Sequence, residues 1–305
     1  MGSLRLCGLF LKKKERGPVG HQNLIYLNER FVPEAEARVS VFDRGFLYGD
    51  GVFETLRAYG GRIFRLNEHM RRLEQSASLI GLRLPQADQL ADVCRQLIER
   101  NGAEDAMLRM SVTRGPAVGG IGIARAGEPT IVAFVRPPMP LPSDAYTRGV
   151  SARIVAVRRN SSQALDARIK SMNFLNSILA RAEAETAGAY EAILLNHSGH
   201  IAEASTANVF FATEKRLITP SADSDILPGI TRAAVLDMAE AMGMPCEERG
   251  IKPSELSELR ECFLTSSGVE LLPVTEIDGG AVGAGAPGPV YERLHQAYRE
   301  LVRRE

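Results

Sequence analysis

Short apolar segments bounded by polar turns alternate along the chain with longer segments of helical periodicity. The N-terminal part predicts strands at 24–27, 52–59, 106–113 and 130–135, with helices near 68–79 and 89–100. The C-terminal part predicts a strand at 149–157, a helix at 171–180 and a hairpin of strands at 190–196 and 201–211. This mixture of strands and helices predicts an α/β (α+β) fold.

A proline-dense segment at 137–144 separates the two parts and predicts a domain boundary. We therefore expect a small N-terminal α/β domain at 22–136, an interdomain loop at 137–148 and a larger domain at 149–305. The apolar stretch near the N-terminus is too short to span a membrane, and its lysines follow it, unlike those of a signal peptide. Residues 1–21 are therefore predicted to be a disordered tail.

Composition narrows the function classes only slightly. The chain has 305 residues, 45% of them hydrophobic and 24% charged, and its formal net charge is zero. This balance gives no sign of a nucleic-acid or membrane partner. The four cysteines are scattered and the five histidines form no metal-like cluster, so we predict reduced thiols, a cytoplasmic location and no metal site.

Lys170 stands directly before the predicted helix at 171–180. The helix places its apolar residues on one face: Phe174, Leu175, Ile178, Leu179 and Ala182. The positive end of a helix dipole disfavours the ammonium form and so lowers the pKa of a lysine beside it. A lysine of lowered pKa is suited to Schiff-base chemistry with an aldehyde cofactor. The alternative is a solvated loop lysine.

Glu203 shares a face of the predicted strand at 201–211 with apolar neighbours. A carboxylate buried there without a partner would be costly, so it requires a cation or a proton donor. The protonated nitrogen of a pyridine ring would serve, and a protonated ring makes pyridoxal an electron sink. Alternatively, Glu203 reaches water or a nearby arginine.

The segment 227–231 is a turn that leads into a predicted helix at 232–241 with Thr231 as its N-cap. The first turn of this helix carries Arg232 and no acid, so free backbone N–H groups and a hydroxyl can bind a phosphate. The alternative is a plain N-cap with Arg232 in solvent. A second turn, Thr265-Ser266-Ser267-Gly268, follows an apolar strand and offers donors to the same anion.

Five segments, in order, resemble the class IV (fold-type IV) pyridoxal-phosphate aminotransferases. They lie at 43–57, 67–73, 168–176, 203–208 and 227–231. This group includes branched-chain aminotransferases, D-amino-acid aminotransferases and aminodeoxychorismate lyases. The resemblance implies a small and a large domain with pyridoxal 5'-phosphate in the cleft between them. It also implies a homodimer or larger assembly in which the partner subunit contributes to the site.

The resemblance also assigns roles to the candidate residues. Lys170 would bind the cofactor aldehyde and carry the proton, and Glu203 would pair with the pyridine nitrogen. The remaining cofactor contacts would come from Arg72, Leu227, Ile230, Thr231, Ser266 and Ser267, with Leu227 beneath the ring and the others at the phosphate. The apolar pattern of the helix at 68–79 does not distinguish Arg71 from Arg72, and only the resemblance selects Arg72.

Substrate-side positions match the branched-chain enzymes in part. Tyr48, Phe53 and Arg57 fit their pattern, and Arg109 matches a substrate-side arginine. Phe174 and Met107, however, stand where branched-chain enzymes carry tyrosines. The loop at 114–122 lacks the arginine and histidine with which D-amino-acid aminotransferases hold a carboxylate. From the residues alone, Arg57 could equally be a surface arginine and Arg109 a salt-bridge residue.

We therefore predict a transaminase that moves an amino group between a branched-chain amino acid and a 2-oxo acid such as 2-oxoglutarate. Thr55, in place of the usual glycine, is the residue type of the aminodeoxychorismate lyases, so elimination of pyruvate is one alternative. A D-amino-acid or (R)-amine transaminase is another. A non-enzymatic alternative, a cofactor-binding scaffold, disagrees with the presence of Lys170, Glu203, Thr231 and Ser267 together.

Overall fold

A computed structural model describes residues 23–117, 119–214 and 216–305. The first sheet is built from six short strands: β1 (Leu24–Leu27), β2 (Arg30–Pro33), β3 (Gly51–Tyr59), β4 (Arg62–Ile63), β5 (Ala106–Thr113) and β6 (Thr130–Arg136). Their order is β2-β1-β6-β5-β3-β4, and each neighbouring pair is antiparallel. Three helices accompany this sheet: α1 (Arg44–Tyr48), α2 (Leu66–Leu79) and α3 (Ala87–Asn101).

The core of this part lies between the sheet and α2 and α3. Met70, Leu73 and Ala77 recur at helical spacing on α2 and are buried. They pack in one cluster with Leu56 of β3 and Leu108 of β5. Because side chains alternate along a strand, Phe53 and Thr55 point to the opposite face of β3.

The second sheet has nine strands: β7 (Val150–Ile154), β8 (Glu191–Leu195), β9 (Ile201–Ala204), β10 (Asn208–Ala212), β11 (Leu217–Thr219), β12 (Cys246–Glu248), β13 (Glu261–Ser266), β14 (Glu270–Ile277) and β15 (Gly280–Ala281). The order is β12-β11-β10-β13-β14-β7-β8-β9, with β15 paired to β14. The accompanying helices are α4 (Ala145–Arg148), α5 (Leu175–Thr186), α6 (Ile230–Ala241) and α7 (Pro289–Arg304).

The second sheet is strongly curved. β9 and β10 lie five strand positions apart in the order, which would be about 24 Å in a flat sheet. The three residues 205–207 that connect them can span at most about 14 Å between the flanking Cα atoms. The sheet must therefore bend until β9 approaches β10. Helices α6 and α7 pack on it through a core that includes Phe210, Phe263 and Tyr298.

The predicted mixture of strands and helices is confirmed, and β1 and β5 have the predicted bounds. The predicted strand at 201–211 is wrong in one respect, because it breaks at 205–207 into β9 and β10, which pair with different neighbours. The predicted helix at 171–180 is also wrong at its start. Ser171 instead forms a bridge with Val52 of β3, so α5 begins only at Leu175.

The buried face of α5 is not the predicted one. Leu175 and Ile178 are 67% and 58% exposed, whereas Ala180 is buried. Ala180 and Ala184 pack against Ala192 and Leu194 of β8, because small side chains allow the helix to approach the sheet closely. The large apolar side chains of α5 therefore remain on the surface of the chain.

The strands of the first sheet all precede residue 137, and those of the second all follow residue 148. The division into separate domains at 22–136 and 149–305 stays a prediction. The predicted disordered tail at 1–21 lies outside the described residues. Among the helices of the described part of the chain, none is long and apolar enough to cross a membrane. The cytoplasmic location stays a prediction.

Candidate active site

A cavity of about 450 Å³ opens between residues of the two sheets. It is bounded by β3 and β5 of the first sheet, the segment that leads to α5, the connection between β9 and β10, the start of α6 and the turn between β13 and β14. Most of the predicted site residues line it: Phe53, Thr55, Arg72, Arg109, Lys170, Glu203, Leu227, Ile230, Thr231, Ser266 and Ser267.

The backbone of Lys170 is fixed by the first sheet and by α2. The N–H of Phe53 donates to the carbonyl oxygen of Lys170 at 3.0 Å, and the N–H of Lys170 donates to Ser76 Oγ at 3.1 Å. Ser76 is buried on α2, and the adjacent Ser171 bridges to β3. The side chain of Lys170 lines the cavity, with Nζ 4.6 Å from the centroid of the Phe53 ring.

Burial and, next, the nearby positive charge of Arg72 lower the pKa of Lys170 to about 8, although Glu54 and Glu203 oppose them. The predicted direction of this shift is confirmed, but the predicted cause is wrong because α5 begins five residues beyond Lys170. No residue in the described part of the chain forms a hydrogen bond or ion pair with Lys170 Nζ. About a tenth of this amine is therefore unprotonated at pH 7, far more than for a lysine of ordinary pKa.

Glu203 is buried, but it is not without a cation. Arg159 Nη2 lies 2.9 Å from Oε1, so the alternative of a nearby arginine is confirmed. Oε2 accepts hydrogen bonds from Asn208 Nδ2 at 3.1 Å and from the N–H of Leu227 at 3.0 Å. Burial raises the pKa of Glu203, and Arg159 and the Leu227 N–H partly oppose this. The carboxylate is thus held rigidly at the cavity wall.

Arg72 is buried and faces the cavity, whereas Arg71 is exposed, so the structure separates two residues that the sequence pattern could not. Arg72 Nε and Nη2 donate to the two oxygens of Glu54 at 2.7 and 2.8 Å, and Nη1 donates to the Pro228 carbonyl at 2.9 Å. These bonds use three of the five N–H donors of an arginine. Two donors remain for a ligand.

Glu54 was missed in the sequence, although alternation along β3 places it on the same face as the apolar Val52 and Leu56. Its carboxylate is fully buried and also lies 2.7 Å from His69 Nδ1. Burial alone would raise the pKa of Glu54, but Arg72 and His69 hold it well below its usual range. The pattern that pointed to Glu203 would have identified this second buried acid.

The start of α6 differs in detail from the prediction. Gly229, not Thr231, is the N-cap, and no side chain among the described residues caps it, so the first N–H groups are free for a ligand. A Cβ at Gly229 would lie 2.0 Å from Asn208 Oδ1, which explains the glycine. Arg232 is buried and bonded to Glu248 Oε2 at 2.6 Å and to the Pro220 carbonyl, so the alternative of a solvated Arg232 is wrong.

The end of β13 contributes an unsatisfied hydroxyl. Thr265 Oγ1 is buried, lines the cavity wall and has no hydrogen-bond partner within the described residues. Buried polar atoms are almost always hydrogen-bonded, so this hydroxyl indicates a missing ligand. Together with Ser266, Ser267 and the start of α6, it forms a site suited to an anion.

Arg109 lines the cavity beside Phe53. Its guanidinium carbon lies 3.9 Å from the centroid of Phe53 and 5.8 Å from that of Phe174. Nε donates to Ser111 Oγ at 3.2 Å, and burial lowers the pKa of Arg109. None of the described acidic residues forms an ion pair with it, so the salt-bridge alternative is not observed.

Two predicted substrate residues, Arg57 and Tyr48, do not line the cavity. Arg57 is buried, binds Asp105 through Nε and Nη2 and lies over the Tyr59 ring. It is therefore neither a cavity residue nor a surface arginine. Tyr48 ends α1 with 43% of its surface exposed.

Comparisons with known proteins identify the family of the chain. The family model described as "Amino-transferase class IV" matches residues 51–277. This chain belongs to the class IV aminotransferase family. The resemblance seen in the sequence is thereby confirmed, and so is the prediction that the chain is of an aminotransferase family.

Two relatives cover nearly the whole chain. A putative branched-chain-amino-acid aminotransferase of Methanocaldococcus jannaschii is 38% identical over 278 residues, covering 91% of this chain and 96% of the relative. A D-alanine aminotransferase of Bacillus licheniformis is 34% identical over 279 residues, with the same two coverages of 91% and 96%. The sequence is thus similar both to an enzyme named for branched-chain amino acids and to one named for D-alanine.

The fold also matches a solved structure. The branched-chain amino acid aminotransferase of Thermobaculum terrenum, whose crystal structure is of the PLP form, superposes with a TM-score of 0.83 at 32% identity. The match covers 93% of this chain and 95% of that one. The predicted fold class is confirmed by this similarity.

The lowered pKa of Lys170 predicts that its amine reacts with acylating reagents at a lower pH than an ordinary lysine does. In short pulses of acetic anhydride without cofactor, we expect half-maximal labelling of Lys170 near pH 8, because the neutral amine is the reactive form. Mass spectrometry of the peptides measures this, with exposed Lys252 as the internal reference. A labelling midpoint above pH 10 for Lys170 would show that its amine is fully hydrated.

Proposed function

We propose that this protein is a pyridoxal-phosphate-dependent transaminase that transfers an amino group between a branched-chain amino acid and a 2-oxo acid such as 2-oxoglutarate. The observation that supports this best is the position of the Lys170 amine. It lies in one cavity with the buried carboxylate of Glu203 and with the free N–H groups at the start of α6.

The residues present fit pyridoxal phosphate. Lys170 would bind its aldehyde, and Glu203 would hold a proton on its ring nitrogen. The phosphate would take the two free donors of Arg72 and those of Thr231, Ser266 and Ser267. The unsatisfied hydroxyl of Thr265 would also gain a partner there. When bound, the cofactor supplies an aromatic ring that takes up the electron pair left at the substrate α-carbon.

The protein residues then move and hold protons. Lys170 Nζ accepts the proton from the substrate α-carbon, since an amine with a pKa of about 8 can act as both base and acid near neutral pH. Arg159 holds Glu203 in place through the 2.9 Å contact with Oε1. The hydrogen bonds of Lys170 to Ser76 and Phe53 fix its backbone while the side chain moves.

The cavity supports both substrates of such an exchange. Its apolar lining includes Met107, Phe134, Met139 and Phe174, which suit a branched aliphatic side chain. Arg109 adds a positive charge without a counterion among the described residues, which suits the second carboxylate of 2-oxoglutarate. Thr55 lies in the same cavity and supports an aminodeoxychorismate lyase as the second candidate.

The first test is an absorption spectrum. Protein mixed with pyridoxal phosphate is expected to show a visible band that L-leucine bleaches without any oxo acid, because the amino group is then retained on the cofactor. The Lys170→Ala protein should lack this band and lose about 10²–10⁴-fold in rate, as expected for loss of a general base.

Other outcomes of the same test separate the alternatives. Bleaching by D-alanine but not by L-leucine would contradict the proposed substrate and favour a D-amino-acid transaminase. Release of pyruvate from 4-amino-4-deoxychorismate would favour the lyase. A protein that acquires no band at all would contradict a pyridoxal-phosphate enzyme.

Arg109 provides a test of the oxo acid. We expect Arg109→Met to raise KM for 2-oxoglutarate at least about tenfold, or about 1.4 kcal/mol, because the second carboxylate loses its cation. KM for 4-methyl-2-oxopentanoate should change less than about threefold, since its side chain is apolar and leaves no charge unpaired.

The control is Arg136→Met, which removes another cavity-lining arginine that is already paired with Glu34 at 2.7 Å. It should leave both KM values near those of the parent. An equal rise for both oxo acids in Arg109→Met would contradict selective binding of the second carboxylate.

We also propose that two copies of the chain assemble through the surface formed by α1 and α5. Phe46 and Leu175 are 74% and 67% exposed there, far more than large apolar side chains usually are. A hydrogen bond joins the segment just before α5 to the end of α1, since Asn173 Nδ2 donates to the carbonyl of Gly49, the C-cap of α1. Tyr48 lies in this surface, so a second copy would bring it towards the neighbouring site.

The variant Ile178→Asp should disrupt this assembly, because it places a charge in the middle of the proposed interface. Light scattering should give about twice the chain mass of 33.2 kDa for the parent and a single chain mass for the variant. Leu79→Asp, at an exposed leucine on α2, is the control and should behave like the parent. An Ile178→Asp protein of parental mass would contradict the proposed interface.

A further inference from the structure

Glu270 has a backbone conformation that is unusual for a residue with a side chain. It follows the turn at the end of β13 and has a φ of 55°. Left-handed conformations cost about 1–2 kcal/mol for residues other than glycine, and hairpin loops of this length commonly place glycine there. Such strain persists where the surroundings determine the conformation. We therefore looked to the contacts of the Glu270 side chain for what holds the backbone in this conformation.

The carboxylate of Glu270 is buried and held by two distant elements. Tyr59, on β3 of the first sheet, donates its hydroxyl to Oε1 at 3.0 Å. Arg299, on α7, donates through Nη1 to both oxygens at 3.0 and 2.9 Å. His295 Nε2 is 3.7 Å from Oε2. Burial alone would raise the pKa of Glu270, but these partners lower it to about 2.

The turn in front of Glu270 is the one that borders the cavity. Ser266, Ser267, Gly268 and Val269 all line the cavity, whereas Glu270 does not. Tyr146 adds a second restraint on this turn, since its hydroxyl donates to the Val269 carbonyl at 3.2 Å. The side chains that restrain the turn, Glu270 and Tyr146, therefore both lie outside the cavity lining.

We propose that Glu270 is a positioning residue for the cofactor phosphate. By binding Tyr59 and Arg299, its carboxylate holds the 265–269 turn, which comprises the last two residues of β13 and the three that follow, in the shape that presents Thr265, Ser266 and Ser267 to the anion. It does so at the expense of backbone strain at Glu270 itself. This inference rests on the proposed function, because it assumes that the anion in the cavity is the phosphate of pyridoxal phosphate.

The test separates the carboxylate from the backbone. Glycine adopts a φ of 55° without strain, so Glu270→Gly keeps the backbone conformation at position 270 accessible and removes the side-chain restraint on the turn. We expect its dissociation constant for pyridoxal phosphate, measured by titration of the cofactor-free protein, to rise at least about tenfold. The dissociation constant for pyridoxal, which lacks the phosphate, should stay within about threefold.

Two further variants complete the design. Arg299→Met removes the cation from a partly exposed position on α7 and should reproduce the selective loss even if Glu270→Gly folds poorly. The control is Glu261→Gln, at a buried glutamate at the other end of β13, whose oxygens accept the N–H groups of Val290 and Tyr291. It lies about 16 Å along the strand from Ser266 and should leave the ratio of the two constants unchanged.

Parental binding of pyridoxal phosphate by both Glu270→Gly and Arg299→Met would overturn the inference. So would an equal loss of affinity for both ligands, since this would indicate general damage to the cavity. Failure of the proposed function gives a different result, because the parent protein itself would then not bind pyridoxal phosphate.

Discussion

The charge of Glu54 is completely buried and is balanced by Arg72, with His69 as a further partner within hydrogen-bonding distance. Removing one partner from such a buried group costs about 3–5 kcal/mol, because the remaining charge is then left without compensation. The three residues therefore depend on one another. Arg72 extends this dependence, since it also binds the Pro228 carbonyl just before α6. One carboxylate thus joins β3, α2 and the start of α6 around the cavity.

The same group of charges determines the chemistry of Lys170. Burial lowers the pKa of this amine and Arg72 lowers it further, whereas Glu54 and Glu203 raise it. The residues that hold the cavity together are therefore also the ones that adjust its central amine. A change made for structural reasons at Glu54 or Arg72 would alter the protonation of Lys170 as well.

Local pattern explains what the sequence could predict and what it could not. The bounds of β1 and β5 followed from short apolar segments bounded by polar turns. The direction of the Lys170 pKa shift was predicted, but its cause is burial by distant residues, which no local pattern contains. Similarly, Arg159 pairs with Glu203 across 44 positions of sequence, and only the folded chain brings them together.

The case of α5 shows a second limit. The sequence indicated an apolar face that includes Leu175 and Ile178, but periodicity cannot say what covers such a face. Within the chain, Ala180 and Ala184 pack on the sheet and the larger residues stay exposed. Arg71 and Arg72 present the same limit on a smaller scale, because both flank the apolar face of α2 and only packing places Arg72 at the cavity.

The order of strands in the second sheet has a consequence for synthesis of the protein. β7 pairs in parallel with β14, with Val150 opposite Val274, so a strand made halfway through synthesis waits for one made 124 residues later. Contacts so distant in sequence are slow to form, because closing the long loop costs entropy before any contact is gained. A nascent chain can complete its first sheet while still on the ribosome. The 265–269 turn, and with it any phosphate site, can be in place only when almost the whole chain has been translated.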